Sequence, residues 1–370
     1  MSEILISDTT LRDGEQMPGV IFNKSQKIDL AKKISKFGVD IIELMPAISK
    51  YETEVAEYLV GIGMNDKLTA STLSRREHID LAESIGMSNV TLFTSISDIH
   101  LGKKLKISRQ QNLENSIRHV EYARERGLRV SFAGEDSSRA DLGYLVEFIN
   151  SLEGKIDYFL SCDTLGILTP KQTYEFIGKL KQETNCKIGL HIHNDFGQAT
   201  ANTLAGIEAG ADLFSGTFTG IGERAGNAPI EEVVMALRYQ YGRELPLNYR
   251  LLGELCGLVE QYSGAKLQRH KPISGENAFS HESGTHVDGI IKYPRNYENF
   301  DPRIIGEKRR ILFGKHSGTS GLKYLFGDKF TKDEYVKMLE QVKSNSMSQG
   351  TVFSEEEIVE MFQIMVEREI

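Results

Sequence analysis

The chain has 370 residues, more than one hydrophobic core usually supports unless the fold is an α/β barrel, which runs to about 250 residues as a single domain. It is 40% hydrophobic and 26% charged, and its 44 basic and 52 acidic residues leave a net charge of −8, a balance that argues against a nucleic-acid partner. No apolar run is long enough to span a bilayer, the amino terminus MSEILISDTTLRDGEQ lacks the features of a secretory signal, and Cys162, Cys186 and Cys256 form neither a metal pattern nor a disulfide set, so a reducing, cytoplasmic setting is expected.

Short apolar runs alternate with longer helix-like segments. Strands are predicted over 3–13, 39–45, 67–72, 89–95, 129–136, 157–166, 187–195 and 212–227. Amphipathic helices are predicted between them, among them 25–38, 75–86, 109–127 and 169–184. The last opens with Thr169 as N-cap and Pro170 at the first helical position. Eight βα units running in one direction read as a (β/α)8 TIM barrel over residues 1–265. An open doubly wound sheet would want a glycine-rich phosphate loop after the first strand, and DTTLRDGEQMPG contains no G-x-G-x-x-G. Beyond residue 265 the rhythm stops. Residues 266–370 are expected to form a smaller, mostly helical region, with helices near 331–345 and 354–368.

A barrel of this kind places its chemistry at the C-terminal ends of the strands. The polar clusters fall there: TTLRDGEQ, Glu43, Ser71 with Arg75, SDIH, GEDSSR, CDTLG, HIHND and GERAGN. In GLHIHNDFG (189–197), His191 and His193 are two apart on a strand, so both imidazoles point to one face. Two imidazoles with a carboxylate make a divalent-metal site, and Asp13 at the end of strand 1 is the natural carboxylate. Strands 1, 7 and 8 are neighbours in a closed barrel, so Asp13, His191, His193 and Asn227 can meet. Mixed nitrogen and oxygen ligands do not select among Zn, Mn, Mg, Co and Fe. Asp195 is expected to orient a ligand histidine from behind. Arg12, a fixed cation beside the metal, suits a substrate carboxylate or a developing oxyanion, and Gln16 lies close by in sequence. Glu135, Asp136 and Arg139 form either an ion network or a substrate-ordering group, and Thr164 offers a hydroxyl to a carboxylate.

Taken together, DTTLRDGEQMPGV, GEDSSRADL, DTLGILTP, HIHNDFGQATANTLAGIEAGA, GIGERAGNAPIEEVV, FSHESGTHVDGI and GKHSG resemble the signature segments of the homocitrate, isopropylmalate and citramalate synthase family, in the family's order and over nearly the whole chain. The resemblance implies a metal-dependent Claisen condensation of acetyl-CoA with a 2-oxo acid that chelates the metal, followed by thioester hydrolysis. It implies Asp13, His191, His193 and Asn227 as metal ligands, Arg12 at the carbonyl oxygen, Thr164 at the oxo-acid carboxylate and Glu135 as the site carboxylate of strand 5. His286 in SGTH resembles a catalytic histidine that the C-terminal region lends to a partner subunit, which implies a homodimer. His281 has a weaker claim. The chain stops at residue 370, soon after GKHSG, and this compact form resembles the short homocitrate synthases of nitrogen-fixation cofactor assembly.

The sequence also departs from the family. Strand 2 ends in ELMP (43–46), short of the family's E-x-G-x-P, and Glu43 there is a substrate-side candidate. Ser131 stands where the lysine-pathway homocitrate synthases carry an arginine. A distal carboxylate of 2-oxoglutarate would therefore need another cation, for which Arg75 is the candidate, with His100 nearby. The family's tyrosine after the P-x-x-x-G turn is replaced around Arg309 and Arg310, with Tyr297 a possible substitute. The expected reaction is homocitrate formation. The alternatives are the same chemistry on pyruvate, oxaloacetate or 2-oxoisovalerate, a lyase on a related barrel, which the FSHESGTHVDG segment argues against, and a non-catalytic relative.

Overall fold

The computed structural model describes residues 4–363. Eight parallel strands close into a barrel in sequence order: β1 Leu5–Asp8, β2 Ile41–Leu44, β3 Leu68–Leu73, β4 Asn89–Ser95, β5 Arg129–Glu135, β6 Phe159–Asp163, β7 Ile188–Ile192 and β8 Leu213–Gly216. β1 pairs with both β2 and β8, which closes the ring. The fold is therefore the TIM barrel expected, with a mostly helical C-terminal region. Eight helices follow the strands: α1 Lys24–Phe37, α2 Lys50–Gly61, α3 Arg76–Ile85, α4 Arg109–Glu125, α5 Leu142–Ser151, α6 Pro170–Glu183, α7 Ala199–Glu208 and α8 Ile230–Tyr239.

Local chemistry sets these boundaries. Asn23 and Gln26 close a reciprocal capping box on α1, and Thr169 and Gln172 do the same on α6, with Pro170 in its first turn. Most of the strands are shorter than expected, and the largest overruns are at the C-terminal ends of β1 and β8. β1 ends at Asp8, and Thr9–Asp13 turns over itself: the Arg12 and Gly14 amides both donate to the Thr9 carbonyl. β8 ends at Gly216, so GIGERAGN is loop.

Strand pleat determines what faces the barrel axis. Thr91 and Phe93, Ala133 and Glu135, Leu160 and Cys162, and His191 and His193 each lie two apart and line one central cavity. Cys162 is paired with His191, and His191 with Ser215, so these residues share one level of the barrel.

The chain divides into two compact units. The first runs through Asn248 and adds Glu254–Lys266. The second comprises Tyr249–Gly253 and the residues from Leu267 on. Helix α9, Leu252–Ser263, follows the barrel helices. In the second unit, α10 Gly284–Lys292, α11 Thr319–Phe326, α12 Lys332–Gln349 and α13 Glu355–Met361 pack around Phe313, Leu322, Met338, Val342 and Ile358. A short parallel pair joins β9 Ser280–His281 to β10 Arg310–Ile311. The expected last helix, 354–368, runs partly outside the described residues. No helix among them is long and apolar enough to cross a membrane.

Candidate metal centre and active site

The cavity at the C-terminal ends of the strands holds about 340 Å³. Arg12, Asp13, Gln16, Glu43, Glu135, Thr164, His191 and His193 line it, as the sequence suggested, together with Lys104, Glu223 and Arg224. Among the described residues, Asp13, His191 and His193 form one group whose ligand atoms lie within 4.8 Å of one another, all three side chains buried. The His191 and His193 Nε2 atoms face each other at 3.2 Å, and His191 Nε2 is 3.7 Å from Asp13 Oδ2.

The donor chemistry fits a divalent cation. Burial, and then the neighbouring His191, push His193 down to about 4, so its ring is neutral at pH 7 with a lone pair available. Burial pushes the Asp13 carboxyl up, but Arg12 and the two imidazoles more than offset this and hold it ionised, well below the ordinary range. Asn227 donates through Nδ2 to Asp13 Oδ1 at 2.7 Å, while its own Oδ1 is buried without a partner. His191 Nδ1 is 3.2 Å from Ser215 Oγ, which fixes that ring from behind. An unsatisfied buried oxygen, two facing imidazole nitrogens and an ionised carboxylate are what a cation would complete.

The β8 loop reaches this cluster through backbone bonds: the Asn194 amide donates to the Gly226 carbonyl at 2.9 Å, and the Ala228 amide to the Ile192 carbonyl at 3.2 Å. Gly222 stands beside the Asn227–Asp13 bond with φ 155°, and a Cβ there would overlap the Asn227 amide and come within 2.7 Å of Asp13 Oδ1. Gly222→Ala is accordingly expected to weaken divalent-cation affinity by about 10–100-fold in a calorimetric titration, the range seen when the groups behind a ligand are disturbed. Unchanged affinity would mean that Asn227 does not matter to the site.

Arg12 is clamped. Its Nε and a terminal nitrogen reach Glu43 Oε2, both at 2.9 Å, and its other terminal nitrogen reaches Asp13 Oδ2 at 2.8 Å. Glu43 also accepts from Ser7 at 3.3 Å and Thr9 at 3.1 Å. Glu43 lines the cavity, and its carboxylate holds Arg12. Thr164 lines it too, with Oγ1 accepting from the Asp136 amide at 2.8 Å. Gln16 is exposed at the mouth.

Other expectations change. Arg75 is not brought to the cavity. It is the exposed N-cap residue of α3 and lines a separate open recess with His78 and His119, because β3 ends at Leu73 and the chain has already crossed the rim. Arg139 is turned onto Asp136 through two bonds of 2.8 Å, so it belongs to an ion network that also includes Ser97. His100 lies at the edge of that network, Nε2 3.7 Å from Asp136 Oδ2 and Nδ1 3.7 Å from Glu135 Oε1. Asp195 does not orient a histidine. It pairs with Arg224 through two bonds of 2.8 and 3.0 Å, and Arg224 also donates to the Thr164 carbonyl. His193 Nδ1 has no partner.

Sequence reasoning passed over Lys104. Its ammonium donates to both oxygens of Glu135 at 2.7 Å. The signal was the spacing from His100 to Lys104 in the SDIHLGKKL segment, which brings both residues to the same carboxylate.

His286, Tyr297, Arg309 and Arg310 lie in the second unit. His286 is exposed and stacks on Tyr297, ring centres 4.2 Å apart. Arg309 grips the buried Glu298 at 2.6 and 2.5 Å, and His281 lies 3.5 Å from the same carboxylate. Arg310 donates to the Glu276 carbonyl.

Residues 3–258 match the HMGL-like family, and residues 273–349 match the family described as homocitrate synthase post-HMGL domain-like. The chain is 39% identical over 347 residues to homocitrate synthase AksA of Methanothermobacter thermautotrophicus, covering 92% of this chain and 89% of that protein. It is 40% identical to a putative (R)-citramalate synthase of Archaeoglobus fulgidus (92% and 71%) and 41% identical to a probable 2-isopropylmalate synthase of Ignicoccus hospitalis (92% and 87%). Among solved structures, an HMG-CoA lyase of Bacillus subtilis shares the fold with a TM-score of 0.64 at 22% identity, over 72% of this chain and 96% of the other. With both segments matched and relatives aligned over most of its length, the chain belongs to the HMGL-like family, within the group of homocitrate, citramalate and isopropylmalate synthases.

Proposed function

We propose that this protein catalyses a metal-dependent condensation of acetyl-CoA with a 2-oxo acid, followed by hydrolysis of the thioester. The observation that carries the reading is the buried Asp13, His191 and His193 cluster beside the clamped Arg12, inside a cavity of small-molecule size. Asp13, His191 and His193 would hold the cation, with the unpartnered Asn227 oxygen beside them. A bound divalent cation supplies Lewis acidity toward a keto oxygen.

The chain's own groups do the rest. Arg12 stands where negative charge would develop on the acceptor's carbonyl oxygen, and its two carboxylate partners fix its direction beforehand. Thr164, beside Glu135 at the end of β6, offers a hydroxyl in the same cavity for the acceptor's carboxylate. Glu135, an ionised carboxylate, accepts a hydrogen bond or a proton from a reacting group. His286 is proposed as an acid–base group supplied by a second copy of the chain, which would make the working protein a homodimer.

For the acceptor we favour 2-oxoglutarate, making the product homocitrate. The match to the homocitrate synthase post-HMGL segment and the similarity to a homocitrate synthase support this choice. The Ser71 and Thr91 hydroxyls are donors on the cavity wall for a second carboxylate. A second reading, a monocarboxylic acceptor such as pyruvate or 2-oxoisovalerate, is favoured by the apolar surface of Met45, Phe93, Ala133 and Leu160.

The test is CoA release from acetyl-CoA across a panel of 2-oxo acids, with and without chelator. Chelator-sensitive release with 2-oxoglutarate is expected. Release confined to another oxo acid moves the assignment to a sister synthase, and silence across the panel from metal-loaded protein overturns the reading. Arg75→Ala is expected to leave the KM for the oxo acid unchanged, since Arg75 lies outside the cavity. A rise of tenfold or more would show that the α3 entry closes over the substrate (~1.4 kcal/mol of binding).

A further inference from the structure

Glu135 is held by a segment with unusual geometry. After β4 the chain makes a short turn at Asp98–His100 and passes into a π-helical turn, Leu101–Leu105. The Lys106 amide reaches back five residues to the Leu101 carbonyl, and Lys106 itself sits in the left-handed region at φ 57°. Such wide turns are rare and cluster at functional sites. Here the consequence is visible: His100 and Lys104, four residues apart, address the same carboxylate, with His100 Nδ1 3.7 Å from Glu135 Oε1 and Lys104 Nζ 2.7 Å from both oxygens.

The segment is fastened on either side of the turn. Ser97 bonds the buried Asp136, and Asp98 takes two bonds from Arg109 at the start of α4. Leu101 is buried beneath it. Lys104 is half-exposed, yet its side chain turns inward to line the cavity. Its side chain gives up mobility to reach Glu135.

We propose that Lys104 is a positioning residue for the reaction, carried on a π-turn whose purpose is to hold Glu135 ionised and aimed into the cavity. Its importance for turnover rests on the condensation proposed above. The Lys104–Glu135 coupling stands independently of that reading.

The surroundings of Glu135 support this. Burial pushes its carboxyl up, yet the hydrogen bonds from Lys104 and Ser95, with the charges of Lys104 and His100, hold it below the ordinary range. The remaining groups near it are Asp136 on the following residue, already neutralised by Arg139, and the buried Cys162 thiol of β6. Lys104 is therefore the fixed positive charge that touches Glu135. Because the pair lowers the acid's affinity for its proton, removing the cation must raise it.

The test uses the metal-loaded full-length protein with Lys104→Met, Lys104→Arg and Glu135→Gln. In a carbon-13 titration of glutamate-labelled protein, the signal lost in Glu135→Gln identifies Glu135. Lys104→Met is expected to move its midpoint up by about one unit, the lower part of the range for a charge partner because Lys104 is half-exposed. Lys104→Arg should restore most of the shift. In turnover, Lys104→Met should move the acid limb of the kcat profile to higher pH by the same amount, with metal content unchanged. An unmoved carbon-13 midpoint overturns the proposal. A moved midpoint with an unmoved kcat profile overturns the catalytic half while leaving the coupling. A wild-type protein silent toward every 2-oxo acid sinks the condensation reading, and the carbon-13 result then still decides the coupling.

Discussion

His193→Ala is expected to lose both metal and turnover. The residue contributes one of the two facing imidazole nitrogens, and no other nitrogen or carboxylate among the described residues lies in the same ligand group besides His191 and Asp13. Disturbing groups behind a ligand typically weakens metal affinity by 10–100-fold, so removal of a ligand itself should cost at least about 100-fold. Elemental analysis of dialysed protein and calorimetric titration with Zn or Mn would measure this. The fold should survive, since the ring sits at the cavity floor and not in the apolar layer between strands and helices. A His193→Ala protein that keeps one tightly bound cation and full CoA release would remove the basis of the metal assignment.

The second large effect is expected at Arg12. Arg12→Lys keeps the charge but cannot make three directed bonds to two carboxylates, so the cation is no longer aimed. Loss of one preorganised donor to a developing oxyanion typically lowers kcat by about 10²–10³-fold, and that is the loss expected here. Metal stoichiometry should hold, because Asp13 remains and gains freedom. Steady-state kinetics beside elemental analysis separates the outcomes: metal lost together with rate would show that Arg12 serves chiefly to hold Asp13.

Much of this site is legible in the sequence. The two histidines could be read because a strand alternates faces, and β7 does run from Ile188 to Ile192 with His193 just beyond it. Asp13 was found through its motif, although the reason offered was incomplete: it sits in a turn after β1 and not on the strand. Arg75 was misjudged because a residue just beyond a strand can face the axis or the outside, and only the start of α3 decides which. Asp195 looked like a support for its neighbour His193, but its partner Arg224 is 29 residues away on the next loop, a pairing that local spacing cannot reveal. Lys104 was missed because its spacing from His100 points to a shared target only once Glu135, 31 positions away in sequence, is known to lie opposite both.

The placement of the ligands has a consequence for how the molecule is assembled. Asp13 comes from the loop after the first strand, the histidines from the seventh, and Asn227 from the loop after the eighth, bonded to Asp13 across 214 positions of sequence. The cluster therefore sits on the seam where the last strand meets the first. A nascent chain that has emerged only through β6 carries one of these four residues and has no site to fill. A cation held by Asp13, His191 and His193, as proposed above, would find its full ligand set only once the ring has closed, and would then fasten the two ends of the sheet to each other. The same ligands that would hold a catalytic cation would thus act, once it is bound, as a latch on the finished barrel, and competence to bind the ion would coincide with completion of the fold.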